Sequence, residues 1–421
     1  MRTVPCTRLD SWACNGVLTA SLLVDARLDA KIMEQNLSTL VECKFPRAGA
    51  QLALRNGVYE FQIPRTFDAD RPPIVFTVDN HSEPYPSATR PELPTHFPDT
   101  FEPTQPSIHS IPELEVYVKS RQSPTSLDGF LVPNTPSLHV HVATFDDLTF
   151  IGVTVSHMAF DGLGLRTVIY AWTRLLNGDA IDTIPGMEWD AAPFEAFTGP
   201  TAVTTLRGYF ESERPSWVQR VVRSLMRTLW GPKEVMQQQD VMRLVRVPKA
   251  FLEEAKREMN NILTLQGSRE WVGNSDVLTA WCIDDTTPIH IHSQVDLRDY
   301  CVFPGSSSLT TPYIHNALWT IPVPPIPANA FRTESLGDLA LRIRRAIKAY
   351  NADLDGIEAD LRWLFANPLK WRLPCPPGGE AVVQSNLRKA RAAELDFSGA
   401  CERKARAIFF LAELTARDKR W

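Results

Sequence analysis

The sequence predicts a mixed α/β fold divided into two domains. The chain has 421 residues, which exceeds one ordinary hydrophobic core and suits two domains of about 150 to 200 residues each. Both halves combine alternating apolar runs, typical of strands, with apolar residues at helical spacing. We expect an N-terminal domain over residues 1–185, a linker or crossover over 186–239 and a C-terminal domain over 240–421.

The composition indicates a globular protein and disfavours several functions. Hydrophobic residues make up 44% and charged residues 22%, and the net charge of -5 offers no basic surplus for nucleic acid. Seven scattered cysteines without a C-x-x-C pair favour a reduced compartment. No window approaches the roughly 20 apolar residues of a membrane span. We therefore expect a monomeric, cytoplasmic protein.

The first half contains the clearest elements. Apolar spacing predicts a helix over 27–43 that leads through Phe45–Leu52 into a strand, and ten prolines between Pro72 and Pro112 predict an irregular surface crossing. Two alternating runs, 138–145 and 148–155, joined by two aspartates, predict a hairpin. A helix should then run from about residue 165 to a stop at Asn177-Gly178.

The second half repeats this mixture of elements. We expect strands over 240–247 and 289–298, helices from Lys249 and over 275–281, and a later helix capped by Ser335 and Asp338. Before them, Trp217–Trp230 reads as a basic amphipathic helix. Its basic side chains could attract CoA phosphates or an anionic membrane surface. We favour the alternative that the helix packs over the boundary between the domains and exposes its basic face to solvent.

The segment Ser156-His157-Met158-Ala159-Phe160-Asp161-Gly162 carries the candidate chemistry. Side chains alternate along a strand, so His157 shares a face with Val153 and Val155, whereas Ser156 points away and is a poor nucleophile. A histidine with a reference pKa near ~6.5 is largely neutral at pH 7 and can accept a proton from a hydroxyl or amine. The alternative is a strand-end histidine packed in a core.

Several segments, in order, resemble the BAHD acyltransferases and their fungal branch of trichothecene acetylating enzymes. The H-x-x-x-D-G segment at His157 is the first. The others are Phe45–Leu52, Asn274–Trp281, Val295–Arg298 with Tyr313–Ala317, and Ser385–Lys389 with Asp396–Ala400. The last segment, Asp-Phe-Ser-Gly-Ala, departs from the family's D-F-G-W-G pattern.

This resemblance implies two chloramphenicol-acetyltransferase-like domains with a channel at their interface for acyl-CoA, the co-substrate, and a small-molecule acceptor. His157 would be the general base, with no bound cofactor. Structural roles at the site are implied for four residues: Asp161 paired with Arg298, Gly162 allowing a tight turn, and Asp396. Asn316 or Ser398 would stabilise the oxyanion or line the channel, and Arg388, Lys389 and Arg391 would bind the CoA 3′-phosphate unless they form a solvated turn.

Departures from the family pattern leave alternatives open. Only 21 residues follow Ala400, so we expect either a truncated chain or a shortened second domain with a sheet edge covered by another element. The protein is then a catalytic acyltransferase, a repurposed member that binds a ligand without catalysis, or an enzyme that uses His157 for an intramolecular cyclisation. A peptide-synthetase condensation domain, which normally shows two consecutive histidines, is disfavoured because Ser156 takes the first position.

Two histidine pairs have a known zinc-ligand spacing. His139 and His141 share one strand face, as do His290 and His292, and four nitrogens would converge if the two strands were neighbours. No carboxylate or cysteine is spaced to complete either pair, so we expect no metal. P-loop and G-x-S-x-G motifs are also absent from the sequence.

Overall fold

The computed structural model describes residues 1–12, 16–85, 93, 106–110, 113–213, 243–282, 289–305, 307–327, 329–368, 370–376 and 379–416. The predicted helix at 217–230 and most of the proline-rich crossing lie outside these residues. Within them, none of the helices is both long and apolar enough to cross a bilayer.

A five-stranded sheet forms the base of the first half, in the order β15-β2-β8-β7-β5. Its strands are β2 (Gly16–Val24), β5 (Val75–Asn80), β7 (Leu138–Thr144), β8 (Thr149–Ser156) and β15 (Ala407–Ala416). Strands β7 and β8 are antiparallel, which confirms the predicted hairpin. Every residue of both strands is buried because the sheet is covered on both faces.

Two long helices cover one face of this sheet. They are α2 (Ala30–Lys44) and α5 (Gly162–Leu176), and the Trp172 indole in α5 donates to the Met33 carbonyl in α2 at 3.1 Å. Helix α5 ends at Asn177 and is followed by Gly178 with φ +91°, so both predicted helices are confirmed. On the other face, the short helices α3 (Glu115–Val118) and α4 (Leu127–Phe130) follow the proline-rich crossing.

The second half is built on a three-stranded sheet of order β12-β11-β14. Its strands are β11 (Ile289–Asp296), β12 (Leu318–Ile326) and β14 (Glu380–Gln384), with β14 parallel to β11. Helices α6 (Lys249–Leu265), α7 (Asn274–Trp281), α8 (Ala330–Thr333), α9 (Leu336–Ala352) and α10 (Leu354–Ala366) complete this half. Ser335 and Asp338 cap α9 reciprocally, as predicted.

Short elements complete the architecture. They are helix α1 (Arg8–Trp12) and strands β1 (Arg2–Pro5), β3 (Gln51–Arg55), β4 (Val58–Ile63), β6 (Ser107–Ser110), β9 (Phe210–Glu213), β10 (Arg243–Arg246) and β13 (Lys370–Leu373). The C-terminal strand β15 pairs with β2 and so adds an edge strand to the sheet of the first half. One buried core contains Leu18 and Ile151 from the first half together with Trp319 and Phe397 from the second.

Candidate active site

His157 lies one residue beyond β8, where the chain leaves the sheet. Its backbone N–H donates to the Gly16 carbonyl at 2.8 Å and so continues the pairing of β8 with β2. The three residues that follow are fully buried. His157 itself is half-buried, and its Nδ1 is buried without a hydrogen-bond partner among the described residues. The scaffold therefore fixes the backbone of His157 while leaving this ring nitrogen unbound.

The His157 side chain lines a cavity of about 340 Å³. Strands from both halves enclose it, and most of the lining is aliphatic. The lining residues are Leu18, Ala20, His157, Gly162, Leu165, Arg166, Ile169, Gln294, Leu318, Val383, Ser385, Leu387, Ala390, Ala392, Leu395, Ala412 and Leu414. A predominantly aliphatic pocket with a few polar groups is typical of small-molecule sites.

Asp161 is fully buried and caps α5. Its Oδ1 accepts from the Gly164 backbone N–H at 2.6 Å, and its Oδ2 accepts from the Ala317 N–H at 2.9 Å. The Arg298 guanidinium lies 3.0 Å from both oxygens through Nη2. A buried carboxylate with this many donors is held in place, and it ties the start of α5 to the 313–317 segment.

Arg298 extends this connection through its other donors. Its Nε donates to the Tyr313 carbonyl at 2.7 Å, its Nη1 to Asp296 at 2.9 Å and its Nη2 to the His315 carbonyl at 2.6 Å. Burial by itself lowers the pKa of Arg298, but the carboxylates of Asp161 and Asp296 raise it overall. The structure thus brings Asp161 and Arg298 together, away from the cavity lining.

The turn at Gly162 does not require a glycine. Gly162 is absent from the residues with positive φ, and an added Cβ would approach only the flexible end of Leu387 at 3.0 Å. Gly164 is the constrained position, because an added Cβ would lie 1.8 Å from the Ile314 carbonyl oxygen. Gly162 instead contributes to the cavity wall, and Gly164 permits α5 to approach the 313–317 segment.

Neither predicted oxyanion donor faces the cavity. The buried Asn316 amide donates to the carbonyls of His157 at 2.8 Å and Met158 at 3.1 Å, and to Asp10 at 3.1 Å, so its donors are occupied. Ser398 donates its hydroxyl to Asp396 and accepts from the Ala405 N–H at 3.0 Å. In the structure Asn316 holds the loop that carries His157, and Ser398 closes a local turn.

Asp396 lies in that same turn. Its backbone bridges to Arg406, its carbonyl accepts from the Asn177 amide at 2.7 Å, and the Ser398 hydroxyl lowers the pKa of its carboxyl group. Asp396 thus fixes the turn against the end of α5, and it does not contact the cavity.

The predicted basic cluster lies beside the cavity, in the segment that contributes Leu387, Ala390 and Ala392 to the wall. Lys389 is paired with Asp299, and Arg391 lies 3.6 Å from Glu394. Arg388 has no acidic partner for its side chain among the described residues.

Gln294 and Ser385 are uncharged polar residues of the cavity lining to which the sequence patterns assigned no role. Because Ser293 and Gln384 pair across β11 and β14, Gln294 and Ser385 extend to the same face of that sheet. The only sequence signal was position: Gln294 directly precedes the Val295–Arg298 segment, and Ser385 opens another family-like segment.

The two histidine pairs do not converge. His139 and His141 lie on β7, whereas His290 and His292 lie on β11 in the other sheet. Burial lowers the pKa of His139 to about 4, and it also lowers the pKa of His292. His292 bonds the Pro374 carbonyl through Nε2 at 2.7 Å, so it serves the packing of its own sheet.

Comparisons in sequence find related fungal proteins over most of the chain, although no protein-family model matches. The chain is 26% identical to acetyltransferase adrJ of Penicillium roqueforti over 412 residues, covering 91% of this chain and 79% of adrJ. It is 26% identical to acetyltransferase pyiB of Pyricularia grisea over 386 residues, covering 85% of this chain and 71% of pyiB. Transcriptional regulator sdnM of Sordaria araneosa is 25% identical over 401 residues, covering 87% of this chain and 78% of sdnM.

The fold is shared with solved acyltransferase structures. TRI101 of F. sporotrichioides, crystallised with coenzyme A and T-2, superposes with a TM-score of 0.57 over 98% of this chain and 89% of TRI101, at 13% identity. Vinorine synthase superposes with a TM-score of 0.50 over 98% of this chain and 84% of the synthase, at 14% identity. The chain is therefore similar to fungal acetyltransferases along most of its length, and it shares the fold of TRI101 and vinorine synthase.

Proposed function

We propose that this protein transfers an acyl group from acyl-CoA to a hydroxyl or amine of a small natural product, with His157 as the general base. The observation that carries the proposal is the placement of the His157 side chain in an aliphatic cavity of about 340 Å³ enclosed by both halves of the chain. The acetyltransferase relatives and the coenzyme A bound in the TRI101 crystal support the acyl donor.

The reaction follows from a neutral imidazole in this position. His157 removes the acceptor's proton as its oxygen or nitrogen forms a bond to the thioester carbonyl carbon, and the carbonyl oxygen becomes an oxyanion. The oxyanion then collapses, the C–S bond breaks, and the CoA thiolate takes the proton from the imidazolium. No covalent enzyme intermediate is needed.

The lining of the cavity favours an apolar, uncharged acceptor. Among the described residues that line the cavity, Arg166 is the side chain that is permanently charged. None of these lining residues is a carboxylate that could balance a protonated amine. Arg166 is itself occupied, since its Nε donates to the Ala390 carbonyl at 3.1 Å and its guanidinium lies over the Tyr170 ring. A hydroxyl on a largely hydrocarbon skeleton therefore suits this site better than an ammonium group.

The proposal is tested by incubating the protein with acetyl-CoA or longer acyl-CoAs and a panel of apolar alcohols and amines. Free thiol is measured together with the mass of the product. Acceptor-dependent thiol release with a matching acylated product supports the proposal. Acceptor binding by calorimetry without thiol release, for every donor, would instead identify a ligand-binding member of the fold.

Gln294 and Ser385 are our candidates for stabilising the oxyanion. Both line the cavity with His157, and their side chains form no hydrogen bond with other described residues. We expect Gln294→Ala or Ser385→Ala to lower kcat by up to about 10²-fold with little change in KM, because a donor aimed at the transition state acts mainly on the chemical step.

The chain offers matched controls for this prediction. Ser293 and Gln384 occupy the preceding positions on the same two strands, and their side chains bond to each other at 3.2 Å on the opposite face. Ser293→Ala and Gln384→Ala should leave kcat within about twofold, because neither side chain lines the cavity. Equal losses in the two pairs of variants would show that sheet stability, not oxyanion binding, governs the effect.

Arg388 is our candidate contact for a CoA phosphate. Replacing it with alanine should raise KM for acyl-CoA roughly three- to tenfold and weaken its salt dependence, because a rim cation mainly affects the capture of a charged ligand. Arg345→Ala removes the same charge from an exposed pair with Glu270 and serves as the control. A KM for acyl-CoA that shifts equally in both variants would indicate only a net-charge effect.

A further inference from the structure

A buried carboxylate lies behind the loop that carries His157. Asp10 belongs to α1, near the start of the chain, and is fully buried. Its Oδ2 accepts from the backbone N–H and the hydroxyl of Thr7, each at 2.7 Å. Its Oδ1 accepts from the backbone N–H of Asn316 at 3.2 Å and from the Asn316 amide at 3.1 Å.

Asn316 relays this contact to the catalytic loop. The same Nδ2 that reaches Asp10 also donates to the carbonyls of His157 at 2.8 Å and Met158 at 3.1 Å. Its orientation matters because an amide turned by 180° would present an oxygen to those carbonyls, and two acceptors cannot bond. Asp10, as an acceptor, selects the orientation that holds the loop.

We propose that Asp10 is a positioning residue for His157: its ionised carboxylate orients the Asn316 amide, which in turn fixes the backbone that carries the catalytic imidazole. This inference depends on the proposed acyl transfer. Asp10 contacts neither the cavity nor a reacting atom, so its effect passes entirely through Asn316.

The surroundings make the charge of Asp10 responsive to pH. Burial raises the pKa of Asp10 to about 6, and the hydrogen bonds from Thr7 and Asn316 only partly offset this effect of burial. Among the described residues, the titratable side chains whose charge interacts with the Asp10 carboxyl are Cys6, Arg47 and Tyr313. Burial raises the pKa values of Cys6 and Tyr313, so both stay neutral and Arg47 supplies the neighbouring positive charge. Protonation replaces one acceptor position of the Asp10 carboxylate with a donor. It therefore weakens the hydrogen bond from the Asn316 amide to Asp10 and, through it, the hold on the His157 backbone.

The test compares the full-length protein with its Asp10→Asn variant across pH. An asparagine keeps the size of the side chain but offers one acceptor oxygen where the carboxylate offers two. We expect kcat to fall roughly tenfold at pH 8, with KM for acyl-CoA unchanged, because small displacements of a catalytic group act on the chemical step. Near pH 5 the ratio of wild-type to variant kcat should approach one, because the wild-type carboxylate is then also neutral.

Stability distinguishes positioning from a general structural role. Because the folded state raises the pKa of Asp10 above its ordinary value, proton uptake stabilises the fold, and the wild type loses this stabilisation as pH rises through about 6. The Asp10→Asn variant does not titrate there, so at pH 8 its melting temperature should equal or exceed that of the wild type. A lower melting temperature at pH 8, or a kcat ratio that does not change with pH, would overturn the inference.

Two further measurements complete the test. Asp10→Asn and Asn316→Ala should have non-additive effects on kcat, because both substitutions break the same chain of hydrogen bonds from Asp10 through Asn316 to the His157 carbonyl. In spectra of ¹⁵N-labelled asparagine, with the Asn316 side-chain amide signal assigned through Asn316→Ala, the wild-type signal should show an inflection near pH 6 that Asp10→Asn removes. A wild-type protein without any transferase activity refutes the proposed function, and the titration followed at the Asn316 amide then decides the contact between Asp10 and Asn316 by itself.

Discussion

Replacing His157 with alanine should lower kcat by about 10²- to 10⁴-fold, the usual contribution of a general base. The variant keeps the apolar cavity but loses the group that accepts the acceptor's proton. KM for acyl-CoA should change little, because the imidazole acts on the attacking hydroxyl. The measurement is steady-state thiol release with the acceptor found in the substrate panel.

Two comparisons make this prediction specific. Added imidazole should restore part of the activity, since truncation leaves space in the cavity wall where the ring stood. His290→Ala, which alters a half-buried histidine that does not line the cavity, should retain nearly full activity. Acceptor-dependent turnover that survives His157→Ala unchanged would remove His157 from the mechanism.

Replacing Arg298 with alanine should lower the free energy of unfolding by about 3 to 5 kcal/mol, the cost of leaving a buried charge without its partner. Asp161 is completely buried, and Arg298 is 13% exposed at its side chain. The substitution also leaves the carbonyls of Tyr313 and His315 without their side-chain donor. Urea unfolding measures the effect as a shift in midpoint at constant slope.

A control variant identifies the cause of this loss. Arg345→Ala, in the exposed pair with Glu270, should cost no more than about 1 kcal/mol. A loss for Arg298→Ala as small as that control would contradict the role assigned to the buried pair.

Local patterns predicted the elements that carry the site. The alternating runs on either side of Asp146 and Asp147 predicted the hairpin. Side chains that repeat every two residues lie on one face of a strand, so the pattern specifies how the two strands pair. The apolar spacing after Gly162 likewise predicted α5 and its end at Gly178. The strand-loop-helix junction that presents His157 could therefore be predicted from the sequence.

Predictions about side-chain partners were less accurate. Asn316 and Ser398 were chosen as oxyanion donors from family-like segments, yet their polar groups are occupied by neighbouring backbone and carboxylate atoms. Gly162 was assigned a conformational role that its backbone does not require. The partners of the Asn316 amide, His157 and Met158, lie more than 150 positions away, so no local pattern records that this amide is occupied.

The sequence by itself determined the mixed α/β class, the hairpin, the helix capped by Ser335 and Asp338, and the position of His157 at a strand end, since each depends on contacts within a few residues of one another. Only the tertiary structure decided that Gln294 and Ser385 share the His157 cavity and that Asp10 reaches Asn316 across 306 positions of the chain. These contacts join segments far apart in sequence, and the packing of the two halves, not local periodicity, sets which side chains meet.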